Sequence, residues 1–147
     1  MNFNVRQMLC VCIFLCLSFT TLAHTGATGI IKERMDFFSR SKDNLRAIKS
    51  YLKVGDLDSI TPLAKEIRDW AIKMPDYFPK GSDGKPSEAS PKIWVDFENF
   101  VKSAKANQVA AQKLFSATEK GDLSESIGSF KELAATCKSC HKVYRIE

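Results

Sequence analysis

The feature that most limits how this chain can fold is an apolar stripe near its C-terminus, with alternating steps of four and three residues. Its members are Leu123, Ile127, Phe130, Ala134, Cys137, His141 and Tyr144. A stripe with this spacing occupies one face of an amphipathic helix and is typical of the seam of a helix bundle. We therefore expect a final helix that places Cys137 and His141 on its buried face.

Three more helical segments precede this one, and each has an apolar stripe with recognisable start or stop residues. They are predicted over residues 30–54, 59–74 and 92–120, with a Pro- and Gly-containing loop at 75–91. Gly55 and Gly121 end two of them, and Asp56 or Asp58 can cap the second. Asp122 with Glu125 three residues later resembles a capping box that opens the last helix.

Four helices with two short connections and one medium loop predict an all-α, antiparallel up-down-up-down four-helix bundle. In this topology, the end of the fourth helix lies beside the start of the first and third helices and the end of the second. The residues expected at that level are apolar or aromatic: Met35, Phe38, Met74, Ile93, Trp94 and Phe97. Core packing alone would account for most of them.

The run Cys137-Lys138-Ser139-Cys140-His141 matches C-x-x-C-H, the attachment signature of c-type haem. Thiols at i and i+3 share one face of a helix, so both can form thioether bonds with the vinyl groups of one haem. The adjacent imidazole can reach the iron from the same side as its proximal ligand. We therefore predict one covalently bound haem c, held by Cys137 and Cys140 and ligated by His141.

Three other chemistries remain for the same residues. A thioredoxin-type pair belongs near a βαβ pattern, which is not found in this sequence. A structural zinc site needs four ligands, and after loss of the leader only His24 could join the three motif residues. A disulfide between Cys137 and Cys140 would close a small strained ring and leave His141 without a role.

The N-terminus has the pattern of a secretory signal peptide. Arg6 precedes an apolar run over residues 8–22, and Ala23 offers a small residue at the cleavage point. The run is about 15 residues long, short of the ~20 that a spanning helix needs, so an uncleaved anchor is the weaker alternative. We predict a signal peptide at 1–23 and a periplasmic domain at 24–147, with no membrane attachment after cleavage.

Export also simplifies the composition of the chain. The other three cysteines, Cys10, Cys12 and Cys16, leave with the leader, so the mature chain keeps only the two motif thiols. Arg6 is the one charged residue of the leader, which reduces the net charge of the full chain from +5 to +4. The mature sequence has no Lys/Arg cluster with interleaved aromatics, which argues against nucleic acid as a partner.

These residues resemble the cytochrome c prime family, including its low-spin relatives with a methionine ligand. The matching pieces are Arg34, Phe78-Pro79, Pro91-Lys92-Ile93-Trp94 and the motif with its continuation through Tyr144 and Arg145. The resemblance covers essentially the whole mature chain and implies an exported four-helix bundle with one haem near the C-terminus. It also implies that Arg145 lies on the proximal side and Arg34 near the haem propionates. A solvated helix face is the alternative for either arginine.

The distal side departs from the family pattern. The residue facing the iron usually comes four positions after the first-helix arginine, and here that residue is Phe38, which cannot coordinate iron. Met35 lies one turn earlier on the same face and could be the sixth ligand if the helix were displaced along its axis. We expect Phe38 over an open iron, because such a displacement would disturb the packing of the rest of the first helix.

Two functions follow from a haem of this kind. We expect single-electron transfer with redox partner proteins, because it needs only a bound haem with an approachable edge. The alternative is a high-spin haem protein that binds nitric oxide or carbon monoxide, for sequestration or sensing. No distal histidine is available for acid–base chemistry at the iron, so we do not expect an enzyme. The resemblance also implies a homodimer formed through the first two helices.

Overall fold

The structure is a computed structural model that describes residues 26–146, and helices dominate this part of the chain. The α-helices are α1 (Gly29–Val54), α2 (Leu57–Lys73), α3 (Lys92–Val95), α4 (Phe97–Glu119) and α5 (Leu123–Tyr144), and a 3₁₀ helix spans Met74–Tyr77. The predicted signal peptide and His24 lie outside the described residues. None of the helices in residues 26–146 is both long enough and apolar enough to cross a membrane.

The four long helices form the predicted all-α four-helix bundle. Each packs against the next one along the chain, so α2 lies between α1 and α4, and α4 lies between α2 and α5. The α1–α5 contact that closes the ring is much smaller than the other three. The seam between the first and last helices is therefore the loosest in the bundle, and the motif residues are on α5.

The connection between α1 and α2 agrees with its sequence signals. Gly55 follows α1 with φ +73°, in the left-handed region that glycine adopts most easily, and its N–H donates to the carbonyl of Tyr51. The carboxylate of Asp56 then accepts a hydrogen bond from the Ser59 backbone N–H at 3.1 Å. Asp56, rather than Asp58, is thus the cap of α2.

The start of α5 has half of the predicted capping box. The Asp122 carboxylate accepts from the Glu125 backbone N–H at 2.8 Å, as a cap should. The Glu125 carboxylate does not return to Asp122 but lies 3.5 Å from the Lys120 ammonium. The Asp122 N–H donates instead to the carbonyl of Ala117.

The third predicted helix is not continuous. Its first turn, α3, is separated from α4 by Asp96, whose backbone has φ −129° and ψ 52°, outside the helical region. The Asp96 carboxylate accepts from the Asn99 side-chain amide at 2.9 Å. Local bonds of this kind favour aspartate at helix ends over helix interiors, which explains why periodicity alone missed the break.

The core is divided into two clusters along the bundle. The first is mainly aliphatic, with Ile48, Ile60, Ala64, Ile67, Ala110, Ala111, Leu114 and Leu133 buried. The second, here called the aromatic cluster, has Trp70, Ala71, Met74, Phe78, Ile93, Phe100, Ala104 and Tyr144 buried, with Phe37, Phe38, Tyr77, Ala89, Trp94 and Cys140 packed against them. The aromatic cluster lies at the motif end, as predicted, and includes four of the six residues expected there. Met35 and Phe97 are not among its members.

The register of α5 differs from the prediction. Its buried residues are Ser126, Ser129, Leu133 and Tyr144, whereas the predicted stripe leaves Leu123 39% and Ile127 37% exposed. His141 is also exposed, although the prediction placed it on the buried face of α5 with the haem inserted there. Ser126 and Ser129 have small buried side chains, and α5 packs more extensively against α4 than against any other helix. The small contact between α1 and α5 leaves much of the predicted stripe uncovered.

Candidate functional site

The three motif residues lie in the last turns of α5. Cys137 and Cys140 are both half-buried free thiols, so the structure does not contain the alternative disulfide. Cys140 packs against the aromatic cluster, and the exposed His141 follows it directly. This places both thiols at the edge of the apolar core and the imidazole at the protein surface.

Both thiols are held in the protonated form. Burial, and then the proximity of Cys137, raises the pKa of Cys140 to about 11. Burial also raises the pKa of Cys137. A redox-active C-x-x-C pair needs the opposite shift, which a helix N-terminus provides, whereas these cysteines lie near a helix C-terminus. The thioredoxin alternative is therefore not supported.

Asn107 holds Cys137 from the neighbouring helix. It is buried on α4, and its side-chain amide donates to Thr136 Oγ1 at 2.9 Å and to Cys137 Sγ at 3.4 Å. The sequence analysis did not identify this residue, because an asparagine within an otherwise apolar stripe carries no motif. Its contacts fix the direction of the first thiol of the pair.

A structural zinc site has no ligand set in the described part of the chain. Residues 26–146 contain no group of three or more His, Cys, Asp or Glu side chains placed to hold a metal ion. Zinc coordination by Cys137, Cys140 and His141 together is not supported.

The His141 side chain lies beside a pair of opposite charges. Partial burial of the ring lowers the pKa of His141, the Arg145 guanidinium lowers it further, and Glu88 opposes the change. Arg145 itself donates through Nε to Glu88 Oε2 at 2.7 Å, and its terminal nitrogen lies 2.5 Å from the same oxygen. The neutral imidazole is the form that binds a metal, so this environment suits the role predicted for His141.

The end of α5 is joined to the loop before α3. The Ser90 N–H donates to the Tyr144 carbonyl, and the Ile146 N–H donates to the Glu88 carbonyl, both at 2.9 Å. Ala89 and Arg145 form an isolated antiparallel bridge between these bonds. The loop is thereby held against the turn that carries His141.

Arg34 is not on a solvated helix face. It is 2% exposed, and it lies under the loop between the 3₁₀ helix and α3. One terminal nitrogen donates to the Tyr77 carbonyl at 3.2 Å and to Ser82 Oγ at 2.7 Å. The other donates to the Ser82 carbonyl and to Ser87 Oγ, the latter at 2.6 Å. The guanidinium also lies 4.4 Å from the centre of the Phe78 ring.

The two candidate distal residues lie in different surroundings. Phe38 packs in the aromatic cluster, with its ring centre 5.3 Å from that of Trp70 and 6.3 Å from that of Phe78. Cys140 packs against the same cluster. Met35 is half-buried and is not among the described members of either core cluster.

Trp70 is the most informative residue that the sequence analysis missed. It is 2% exposed, at the centre of the aromatic cluster, and its Nε1 has no hydrogen-bond partner. A signal was available, because Trp70 follows Ile67 by three residues on the apolar face of α2. A buried donor without a partner is rare in folded proteins, so this N–H is unusual.

The residues at this end of the bundle fit a haem. Two protonated thiols on one face of a helix, a neutral imidazole next to them, an aromatic surface and an orphan donor are the groups needed to hold a flat apolar macrocycle with acidic substituents. An all-helical bundle that ends in C-x-x-C-H defines the class of four-helix c-type haem proteins.

The comparison with known proteins specifies this class further. Residues 29–145 match the family described as Cytochrome C'. The chain is 32% identical to cytochrome c' of Rhodospirillum rubrum over 148 residues, which covers 97% of this chain and 100% of the relative. It is 34% identical to cytochrome c-556 of Agrobacterium tumefaciens over 105 residues, which covers 71% of this chain and 84% of the relative. The chain belongs to the cytochrome c' family.

Solved structures agree with this assignment. Cytochrome c' from Thermochromatium tepidum is similar with a TM-score of 0.74 and 25% identity, over 80% of this chain and 95% of that one. A nitric oxide complex of a cytochrome c' variant from Alcaligenes xylosoxidans has a TM-score of 0.73 and 25% identity, over 80% and 94%. The fold prediction is confirmed, and the protein is a c-type haem protein of a family that usually carries one covalent haem c.

Proposed function

We propose that this protein is an exported c-type cytochrome in which Cys137 and Cys140 hold one haem and His141 ligates its iron. We further propose that Phe38 lies over the open side of the iron and that this side binds nitric oxide or carbon monoxide. The bound haem would supply an iron centre that carries one electron or one diatomic ligand.

The observation that carries the gas-binding proposal is the placement of Phe38. It shares the aromatic cluster with Cys140, whereas Met35 does not belong to that cluster. A phenyl ring offers iron no lone pair, and the ring leaves room for a small ligand only by moving aside. The relative from Alcaligenes xylosoxidans that was solved with nitric oxide supports the same proposal.

Single-electron transfer is the second candidate, and the exposure of the motif favours it. Lys138, Ser139 and Lys142 are all exposed, so the end of α5 is open to a partner protein. Electron transfer needs such access but does not need an open iron. The two proposed functions therefore differ in what occupies the sixth coordination position of the iron, and not in how the haem is attached.

The first experiment tests attachment. Mass spectrometry of the denatured wild-type protein, produced in an export-competent host with haem-attachment machinery, should give the mass of residues 24–147 plus one haem. This mass also tests cleavage after Ala23. Cys137→Ala and Cys140→Ala should each leave at most one thioether and sharply lower the yield of haem-loaded protein. A wild-type mass equal to the bare chain would refute the attachment proposal.

The second experiment tests the distal side by absorption spectroscopy and carbon monoxide kinetics. Phe38→Ala should speed carbon monoxide binding to the ferrous protein, and Met35→Ala should leave the spectrum nearly unchanged. Phe97→Ala is a matched control, because Phe97 is 39% exposed and contacts the ring of Phe100, with centres 5.8 Å apart, rather than that of Phe38. If Met35→Ala converts a low-spin spectrum to a high-spin one, Met35 is the ligand and electron transfer becomes the better proposal.

A further inference from the structure

The buried indole N–H of Trp70 has no acceptor in the protein. In residues 26–146 it is the one buried side-chain nitrogen or oxygen without a hydrogen-bond partner. The other tryptophan shows how this fold normally satisfies an indole, since Trp94 Nε1 donates to the carbonyls of Phe78 at 3.0 Å and Pro79 at 2.9 Å. Orphan buried donors are rare in folded proteins, so the N–H of Trp70 calls for a partner from outside the chain.

The immediate neighbours of Trp70 are aromatic rings. Its ring stacks on Phe37 with centres 4.5 Å apart and planes inclined by 8°, and it meets Tyr77 edge-on at 5.3 Å. Its contact with Phe38, also at 5.3 Å, connects it to the residue proposed to cover the iron. The orphan donor therefore belongs to the same end of the bundle as the proposed haem.

The chemistry of haem c limits which of its atoms can accept this bond. The pyrrole nitrogens bind the iron and the vinyl groups are used in the thioethers, so the acceptors at the periphery are the two carboxylates. The terminal nitrogens of Arg34, the expected partner of those carboxylates, already donate to Tyr77, Ser82 and Ser87. Among residues 26–146, the buried side-chain donor that remains without an acceptor is the indole N–H of Trp70.

We propose that Trp70 is a haem-binding residue that donates its indole N–H to one haem carboxylate. This inference rests on the proposed haem attachment through Cys137 and Cys140. The hydrogen bond would orient the carboxylate and partly offset its negative charge. Loss of the donor leaves that charge less compensated near the iron, which favours the ferric state and lowers the reduction potential.

The experiment compares Trp70→Phe with Trp94→Phe in the haem-loaded protein. Each variant keeps an aromatic ring and removes one indole N–H, but only Trp94 has protein acceptors. Resonance Raman spectroscopy should show a shift of the carboxylate bending mode in Trp70→Phe and no shift in Trp94→Phe. The reduction potential should fall in Trp70→Phe alone.

The outcomes separate this inference from the function on which it rests. A haem-loaded Trp70→Phe protein with an unchanged carboxylate mode and potential would mean that the indole bonds to a buried water, and would overturn the inference. Wild-type protein without haem would overturn the proposed function instead. If Trp70→Phe does not fold, a crystal structure of the haem-loaded wild type decides. We expect Nε1 about 2.7–3.2 Å from a carboxylate oxygen, and a separation beyond hydrogen-bond range would refute the inference.

Discussion

Replacing Arg34 should strongly destabilise the protein, because its side chain fixes the loop between the 3₁₀ helix and α3 through hydrogen bonds. Its two terminal nitrogens make four hydrogen bonds to Tyr77, Ser82 and Ser87, and its guanidinium lies over Phe78. Arg34→Met keeps most of the apolar stem but removes every one of these interactions. Burial lowers the pKa of Arg34, so the guanidinium is partly desolvated in the native protein and depends on these partners.

The magnitude follows from the buried acceptors that would lose their donor. A hydrogen bond to a charged group contributes about 1.5–3 kcal/mol, but bonds that share one group are not additive. Each buried acceptor that loses its donor costs about 1–3 kcal/mol, and Arg34→Met leaves more than one such acceptor without Arg34. We expect a loss of about 3–5 kcal/mol in the free energy of unfolding, which corresponds to a decrease in Tm of roughly 10–20 °C for a domain of this size.

Arg40→Met is the matched control on the same helix. Arg40 also lies over an aromatic ring, with 4.5 Å to the centre of Phe37, and it pairs with Glu66 at 3.4 Å. Both members of that pair are about half exposed, so its removal should cost less than about 1 kcal/mol. Urea unfolding of the haem-loaded variants measures both losses. Equal midpoints for the Arg34 and Arg40 variants would refute the reasoning.

Three further predictions concern the ends and the interior of the helices. Gly55→Ala should lower the free energy of unfolding by about 1–2 kcal/mol, because φ is +73° at this position. Gly128→Ala, at an exposed position in the middle of α5, should raise the free energy of unfolding by about 0.5–1 kcal/mol. Changes of the same sign for both variants in urea unfolding would contradict the backbone argument. Asp122→Ala should lower the free energy of unfolding by about 1 kcal/mol, because it removes the side-chain cap of α5. Thermal unfolding should show a larger decrease in Tm for Asp122→Ala than for the control Ser124→Ala, and a smaller decrease would contradict the prediction. Hydrogen bonds from Ser59 lower the pKa of Asp56, so its contribution to stability is complete above its unfolded pKa and is lost as the pH falls through the lower folded pKa. In Asp56→Asn, the free energy of unfolding should therefore decrease less steeply as the pH falls below about 4. Acid unfolding identical to that of the wild type would contradict this prediction.

Local signals in the sequence were sufficient for the helices and for the class of cofactor. The stripes and end residues predicted the four long helices to within about three residues, except for the break at Asp96, because capping and periodicity depend on nearest neighbours along the chain. The C-x-x-C-H motif predicted a c-type haem protein for the same reason, since its chemistry needs only three residues on one turn. Attachment through Cys137, Cys140 and His141 itself stays a prediction.

The tertiary structure alone decided which faces are buried and what surrounds the proposed site. Periodicity placed His141 on the buried face of α5, whereas the structure buries Ser126, Ser129 and Leu133 and leaves His141 exposed. Spacing from Arg34 left both Phe38 and Met35 as candidates for the distal position, whereas in the structure only Phe38 packs in the aromatic cluster with Cys140. The burial of Arg34 and the orphan N–H of Trp70 depend on contacts between residues far apart in the chain. Such contacts are determined by how side-chain volumes fit across helices, which no local pattern in the sequence records.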